Sequence, residues 1–324
     1  MVKPFTGVQA DAPTDGAVLR PRPDSHRGVT VTHGVCPRMS DDDAYQMAAH
    51  AVDEAYRAHI ALGGDPDRAS GLDNFCWPDP VQSEYTPDGE YKLAQLVRAN
   101  QGLRDACLAY NLPLISGKDS MKNDANLGGR KVSVRPTLLV SLMGMVDDVR
   151  RVPEQGIYRE GQALYLLGPA ETRLGGSFFE KLEGVQLGAS PMIDLAANAD
   201  RYRILSELIR EGRIAAIHDV SDGGLICALA ESCLAGRIGA RIDIAALEVP
   251  DSAGDAAILF AEGSGRFVVA LDQENAADFE SAFAPSECIR LGVSGGSALE
   301  IQLRGGEELQ ISLDEIRDAF TMPW

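Results

Sequence analysis

Ser116-Gly117-Lys118-Asp119-Ser120-Met121-Lys122-Asn123-Asp124 directly follows the apolar run Leu112-Pro113-Leu114-Ile115. A strand that ends in a glycine-opened turn, rich in donors and carboxylates, carries the chemistry of a phosphate and Mg²⁺ site. Gly117 lets backbone N–H groups come close to an anion, and Lys118 and Lys122 add positive charge to an acidic chain. A polar β-turn accounts for the same composition. What else the chain carries has to decide between the two.

With 324 residues and a net charge of −18, the chain is long enough for about two domains. No basic cluster offers the patch that polyanion binding needs, so no nucleic-acid partner is expected. The six cysteines, Cys36, Cys76, Cys107, Cys227, Cys233 and Cys288, form no Cys-x-x-Cys pair and no repeating spacing, which argues against a zinc site or a disulfide framework. Met1-Val2-Lys3-Pro4-Phe5 lacks the apolar segment of a signal peptide, and no window approaches about 18 uninterrupted apolar residues. The expectation is a cytoplasmic protein without a membrane partner.

Gly28-Val29-Thr30-Val31-Thr32 alternates like a strand. A helix is expected to open at Ser40, with Asp41 to Asp43 at its positive end. Its small or apolar positions Ala44, Met47, Ala48, Ala51, Val52, Ala55 and Leu62 follow helical spacing until Gly63-Gly64 stops it, and Glu54 lies at the margin of the buried face. Leu72 to Pro78 reads as a loop, Tyr91 to Tyr110 as a second amphipathic helix, and Pro136 to Val146 as a continuous apolar strand. Residues 1–152 therefore form one α+β domain.

A second domain, 153–324, opens with the strand Ala163 to Gly168 and the glycine turn Leu174-Gly175-Gly176-Ser177. A helix follows over Asp200 to Glu211, then a strand over Ile214 to Ile217 and the segment His218-Asp219-Val220-Ser221-Asp222-Gly223-Gly224 leading into a helix over Leu225 to Leu234. Strands over Arg266 to Leu271 and Ile289 to Val293 flank a helix from Glu274 to Phe283.

The turn His218 to Gly224 joins a strand to a helix start, where carboxylates serve either as caps or, beside a phosphate loop, as Mg²⁺ ligands. Phe260-Ala261-Glu262-Gly263-Ser264-Gly265-Arg266 is a glycine loop with both charges, which also suits a plain hairpin with a solvated ion pair. His33, in Thr32-His33-Gly34, is either structural or an acid/base group. The chain has no Gly-x-Ser-x-Gly elbow and no Walker motif, so its chemistry is positional and electrostatic.

Taken in order, Pro4-Phe5-Thr6-Gly7, Asp15-Gly16-Ala17-Val18-Leu19-Arg20, Leu72-Asp73-Asn74-Phe75, Ser116 to Met121, Leu174 to Ser177, His218 to Gly224 and Glu262 to Arg266 resemble the phosphoribosylformylglycinamidine synthase family, in the aminoimidazole ribonucleotide synthetase-like superfamily. The resemblance runs over nearly the whole chain and is to the second half of that enzyme. It implies one synthetase-like unit: an N-terminal α+β domain whose mixed sheet pairs into a barrel with a partner, and a C-terminal α/β domain. It also implies an ATP-dependent carbon–nitrogen ligase of purine biosynthesis, in which ATP phosphorylates the amide oxygen of formylglycinamide ribonucleotide and ammonia displaces phosphate. The implied cofactors are ATP and Mg²⁺. The implied partners are a glutaminase subunit or domain that supplies ammonia, and an N-terminal half or a homodimer partner.

Carried over by motif, Gly117, Lys118, Asp119 and Ser120 would contact phosphate, with Asp73, Asn74 and Glu262 as further nucleotide-side candidates. Glu54 and Asp219 would lie near nucleotide-bound Mg²⁺, and His33 and His218 are the catalytic candidates. One departure stands out: the family commonly places Asn four residues after the helix carboxylate, where this chain has Ala58. Two other readings stay open, a self-sufficient homodimeric ATP-using relative and a non-catalytic half that holds a structural nucleotide.

Overall fold

The computed structural model describes residues 1–322; the last two residues of the expected second domain lie outside the described residues. A hairpin of β1 (Phe5–Thr6) and β2 (Ala12–Pro13) precedes β3 (Ala17–Leu19) and β4 (Gly28–Val35). Then come α1 (Ala44–Ala61), β5 (Ala69–Cys76), α2 (Gly89–Ala109), β6 (Leu114–Ser120), a hairpin of β7 (Asp124–Leu127) with β8 (Arg130–Ser133), and β9 (Thr137–Val146). The first sheet has the order β3-β4-β9-β5-β6, antiparallel except for the parallel pair β5 and β6.

Strand alternation decides which face of this sheet the helices cover. Leu138, Val140, Leu142 and Val146 of β9 are buried with Ala48, Val52 and Ala55 of α1, because successive side chains point to opposite faces. On β4 the helix side carries Gly28, Thr30, Thr32 and Gly34, all small or hydroxylated. A Cβ on Gly34 would come within 2.1 Å of the Ala51 carbonyl oxygen, so glycine is what lets α1 lie this close to the strand. The other face is open. Leu19, Val31 and Met143 lie on it at 52%, 39% and 57% exposure.

The second sheet is built from β10 (Ala163–Leu167), β11 (Ala216–Asp219), β12 (Ala240–Asp243), β13 (Phe267–Leu271), β14 (Cys288–Ser294), β15 (Ala298–Gln302) and β16 (Glu308–Ser312), in the order β11-β13-β10-β14-β12-β15-β16. Between these strands run α3 (Phe178–Glu183), α4 (Leu195–Arg210), α5 (Gly224–Gly236), α6 (Asp255–Phe260) and α7 (Ala276–Ala282), and α8 (Leu313–Thr321) follows the last. Tyr165 and Leu167 of β10 join Phe267 and Val269 of β13 in a core that also contains Tyr202 and Leu205 of α4 and the buried side of α1. Leu164, Leu166 and Val268 face the other way, into a core with Leu225 and Leu229 of α5. Helices thus cover both faces of the second sheet, which explains strands that are apolar at every position.

Several expectations shift. Helix α1 opens at Ala44, not Ser40: Pro37–Asp41 takes a 3₁₀ turn, and Asp43 caps the helix by accepting from the Tyr45 N–H at 2.8 Å. Leu72 to Cys76 is strand, not loop, because β5 lies between β9 and β6 and buries Phe75. Ser116 to Ser120 is strand as well, paired in parallel from Leu72↔Ser116 to Cys76↔Ser120. Helix α4 begins five residues early, where Asp194 caps it through the Ala197 N–H. His218 and Asp219 complete β11 instead of following it. Among the described residues no helix is long and apolar enough to cross a membrane.

Candidate functional site

Where α1 approaches the C-terminal end of β4, the Glu54 carboxylate reaches the strand. Its Oε2 accepts from the Val35 N–H at 2.7 Å and lies 3.5 Å from the Cys36 thiol. Burial pushes Glu54 up to about 7, and the nearby Asp219 and Asp222 charges add to the shift while Arg57 opposes it. Arg57, on the next turn, is itself buried. Its Nε donates to Asp219 Oδ2 at 2.8 Å, its Nη1 to Asp53 Oδ2 at 2.9 Å, and its Nη2 to the Val220 carbonyl at 3.4 Å. Burial and then the Asp15 charge push Asp219 up to about 6, against the pull of Arg57.

The glycine loop before β13 brings in Glu262. Its Oε1 accepts from the N–H groups of Phe178 and Gly223, both at 2.8 Å, and burial pushes it up to about 7. Arg38 lies 3.5 Å from Glu262 and 3.6 Å from Asp222, stacks over the Phe178 ring at 3.5 Å, and donates to the Gly176 carbonyl at 3.1 Å. Cys36, Arg38, His50, Glu54, Arg57 and Glu262 line a cavity of about 20 Å³, room for about one water. His50 donates from Nδ1 to the Gln46 carbonyl at 2.9 Å, and burial lowers its pKa. A groove of about 270 Å³ between Gly63, Asp65, Asp147 and Arg151 is larger, but it sits at the opposite end of the first sheet, where β9 finishes.

Asp53 holds the site to the rest of the molecule. It is fully buried and accepts from Tyr110 Oη at 2.5 Å, Tyr202 Oη at 2.7 Å, Asn198 Nδ2 at 2.9 Å and the Gly265 N–H at 3.2 Å, besides Arg57. Burial alone would raise its pKa, yet Arg57 and the two phenols hold it below the ordinary carboxylate value. One carboxylate thus joins α1, α2, α4 and the loop that carries Glu262.

The other expected residues spread out. His218 turns away from the cavity: Nδ1 faces Asp15, and Nε2 lies 2.8 Å from Glu231. Burial opposes its protonation, but the Asp15 and Glu231 carboxylates outweigh it and hold His218 well above the usual histidine range. His33 lies on the open face of the first sheet, in register with Ser141. Asp73 and Asn74 sit on β5, and Gly117, Lys118, Asp119 and Ser120 on the exposed edge strand β6. Lys118 Nζ donates to Ser120 Oγ at 2.7 Å, and a Cβ on Gly117 would fall 2.7 Å from Asp73 Oδ1.

Strands β4, β5 and β6 end on the same rim, since Val35 and Asn74 both pair with Leu139, and Asn74 pairs with Lys118. Three strand spacings put Lys118 about 14 Å from Val35. The structure thus brings Glu54, Asp219 and Glu262 together and leaves the phosphate-strand residues apart from them on one edge. The sequence reading missed Asp53, Arg57 and Arg38; its available signal was an Asp and an Arg four apart within a helix otherwise lined with alanine.

As Mg²⁺ ligands, Glu54 and Asp219 do not fit. Among the described residues the one group of three His, Cys, Asp or Glu atoms close enough to share an ion is Asp15, His218 and Asp219. Both ring nitrogens of that histidine already face carboxylates, and Asp219 carries the Arg57 guanidinium.

Two family models match the chain, AIR synthase related protein, N-terminal domain, over residues 13–146, and AIR synthase related protein, C-terminal domain, over residues 159–301. The phosphoribosylformylglycinamidine synthase subunit PurL of Bradyrhizobium diazoefficiens is 31% identical over 309 residues, which is 94% of this chain and 39% of that one. The subunit of the same name from Streptomyces avermitilis is 34% identical over 314 residues, 95% of this chain and 38% of that one. The chain thus spans about two fifths of the length of these curated relatives. The solved structure of T. maritima PurL complexed with FGAR superposes with a TM-score of 0.73 at 18% identity, covering 97% of this chain and 49% of that one. Hydrogenase maturation protein HypE in complex with ATP gives 0.64 at 15% identity, covering 94% and 90%. Both likenesses bear on the fold, a mixed α+β unit of this type.

Proposed function

The chain belongs to the AIR synthase related protein family, and from that premise we propose that it supplies one synthetase-like unit of a phosphoribosylformylglycinamidine synthase, the second of two. The reaction would be the ATP-dependent conversion of formylglycinamide ribonucleotide to its amidine. ATP phosphorylates the amide oxygen, ammonia adds to the activated carbon, and phosphate leaves with the original oxygen. Glutamine hydrolysis in a separate glutaminase would supply the ammonia, and the setting is cytoplasmic purine biosynthesis.

The observation that carries this reading is the open face of the first sheet. Leu19, Val31 and Met143 form an apolar surface across β3, β4 and β9, and β6 leaves the opposite edge of the same sheet unpaired. Such a surface calls for a cover. A complementary unit, or a second copy, placed there would bring its own groups to His33 and to the rim that carries Gly117, Lys118, Asp119 and Ser120. The division at residues 152 and 153, between the two sheets, suits a unit whose first domain pairs and whose second flanks the site.

In that arrangement Lys118 offers positive charge to a phosphate, and the absence of a side chain at Gly117 leaves room for the Asp73 carboxylate beside it. Glu262 accepts from the Phe178 and Gly223 N–H groups and so ties the α3 and α5 starts together. Phosphoryl transfer needs alignment and charge more than a protein nucleophile, which agrees with a site without one. Mg²⁺ accompanies ATP in this class of reaction; Glu54 and Asp219 do not fit it, so donors from the complementary unit would hold it.

One finding favours a second reading, a self-sufficient homodimer that uses ATP on another substrate: the HypE chain is matched over 90% of its own length. Reconstitution separates the two. Phosphate release that requires formylglycinamide ribonucleotide, ammonia and an added first unit supports the synthase reading, whereas substrate-independent release by the chain alone supports the second.

A further inference from the structure

We infer that Arg57 is the resident cation of the carboxylate cluster beside β4, and that this chain holds no divalent metal on Glu54 and Asp219. The inference goes beyond the amidation reading and is tested apart from it, because it concerns only donors within this chain.

Three observations carry it. The guanidinium is buried, and each of its three nitrogens donates: Nε to Asp219 at 2.8 Å, Nη1 to Asp53 at 2.9 Å and Nη2 to the Val220 carbonyl at 3.4 Å. It cannot deprotonate, so the positive charge is permanent. It therefore supplies between two buried carboxylates what a bound cation would supply.

The donors do not converge. Mg²⁺ demands near-octahedral oxygens at about 2.0–2.1 Å, but Glu54, Asp222 and Glu262 belong to no group of three ligand atoms within 4.8 Å of one another among the described residues, and Asp219 belongs only to the one with Asp15 and His218, where both imidazole nitrogens already face carboxylates. Glu54 spends Oε2 on the Val35 N–H, and Glu262 spends Oε1 on two N–H groups. Ala58 stands where an oxygen ligand would follow Glu54 on the helix.

The second arginine repeats the pattern. Arg38 lies between Asp222 and Glu262 at 3.6 and 3.5 Å, as Arg57 lies between Asp53 and Asp219. The remaining space, about 20 Å³, has no room for an ion with its shell of waters.

Mn²⁺, a paramagnetic substitute for Mg²⁺, is titrated into the full chain and read by electron paramagnetic resonance, alongside Glu54→Gln and Arg57→Ala. Wild type is expected to bind no Mn²⁺ that Glu54→Gln removes. Arg57→Ala, checked for folding by circular dichroism, is expected to bind at least about tenfold more tightly than wild type and to lose that gain when Glu54→Gln is added. Mn²⁺ held by wild type and lost in Glu54→Gln overturns the proposal, and so does a folded Arg57→Ala chain without the gain. Should Arg57→Ala fail to fold, the comparison of wild type with Glu54→Gln decides by itself.

Discussion

Arg57 Nε lies 2.8 Å from Asp219 Oδ2, so a helix packed on the first sheet and the last residue of a strand in the second share one buried ion pair. Asp53, one turn back on the same helix, takes Nη1 at 2.9 Å. The two sheets are thus joined by charge as well as by the apolar core that runs between them.

Removing Asp219 leaves a buried guanidinium short of a partner. Asp219→Ala is expected to cost about 3–5 kcal/mol of unfolding free energy, read from urea denaturation. A loss within about 0.5 kcal/mol would mean that the pair is solvated.

Asp53 makes a sharper case because five donors converge on it. Tyr110→Phe and Tyr202→Phe each remove one hydroxyl from a buried carboxylate and are expected to cost about 1–3 kcal/mol. The double variant should depart from the sum of the two, since both hydroxyls serve the same oxygen. Strict additivity in a double-mutant cycle would contradict the shared network.

Stability should fall as pH climbs through neutrality. Glu54 and Glu262 are raised by burial from an ordinary value of 4.5 to about 7, so the folded chain binds more protons than the unfolded one between those values. Their contribution is lost across that window, by about 1–3 kcal/mol each. His218 adds to the trend: raised by Asp15 and Glu231, its contribution is complete below the ordinary histidine value and disappears as pH rises through its own. Urea midpoints measured from about pH 5 to about pH 8 should decline, and Glu54→Gln with Glu262→Gln should flatten the decline.

The open sheet face gives a prediction about assembly. Val31→Lys and Met143→Lys place a charge on exposed positions of β4 and β9, so each should shift the stability of the separate chain by no more than about 0.5 kcal/mol. Each should abolish pairing with a second copy or a complementary unit in analytical ultracentrifugation. Unchanged pairing would place the interface elsewhere.

Much of the fold was legible because periodicity is local. Pro136 to Val146 reads as a strand from its own residues and forms one over Thr137–Val146, and the alanine and methionine stripe before Gly63 reads as a helix, which the structure opens at Ala44 and not at the expected Ser40. Leu72 to Cys76 did not read as a strand, since Asp73 and Asn74 interrupt the apolar pattern and the strand owes its existence to β9 and β6 on either side. The site divides the same way. Glu54 drew notice as a carboxylate at the margin of the buried face, whereas Asp53 and Arg57 went unremarked, because their partners Tyr110, Tyr202, Asn198 and Asp219 are distant in sequence. His218 was singled out by its motif, but its role depends on Asp15, 203 residues away in sequence.

In the amidation proposed for the complete assembly, the substrate's amide oxygen would leave as phosphate. Formylglycinamide ribonucleotide labelled with ¹⁸O at that amide, incubated with ATP, ammonia, a first unit and this chain, tests it by mass spectrometry of the released phosphate. The expected result is phosphate carrying the label, in proportion to amidine formed, and lost when Lys118→Ala replaces wild type. Unlabelled phosphate released by the complete mixture would contradict it, because the oxygen would then have come from water.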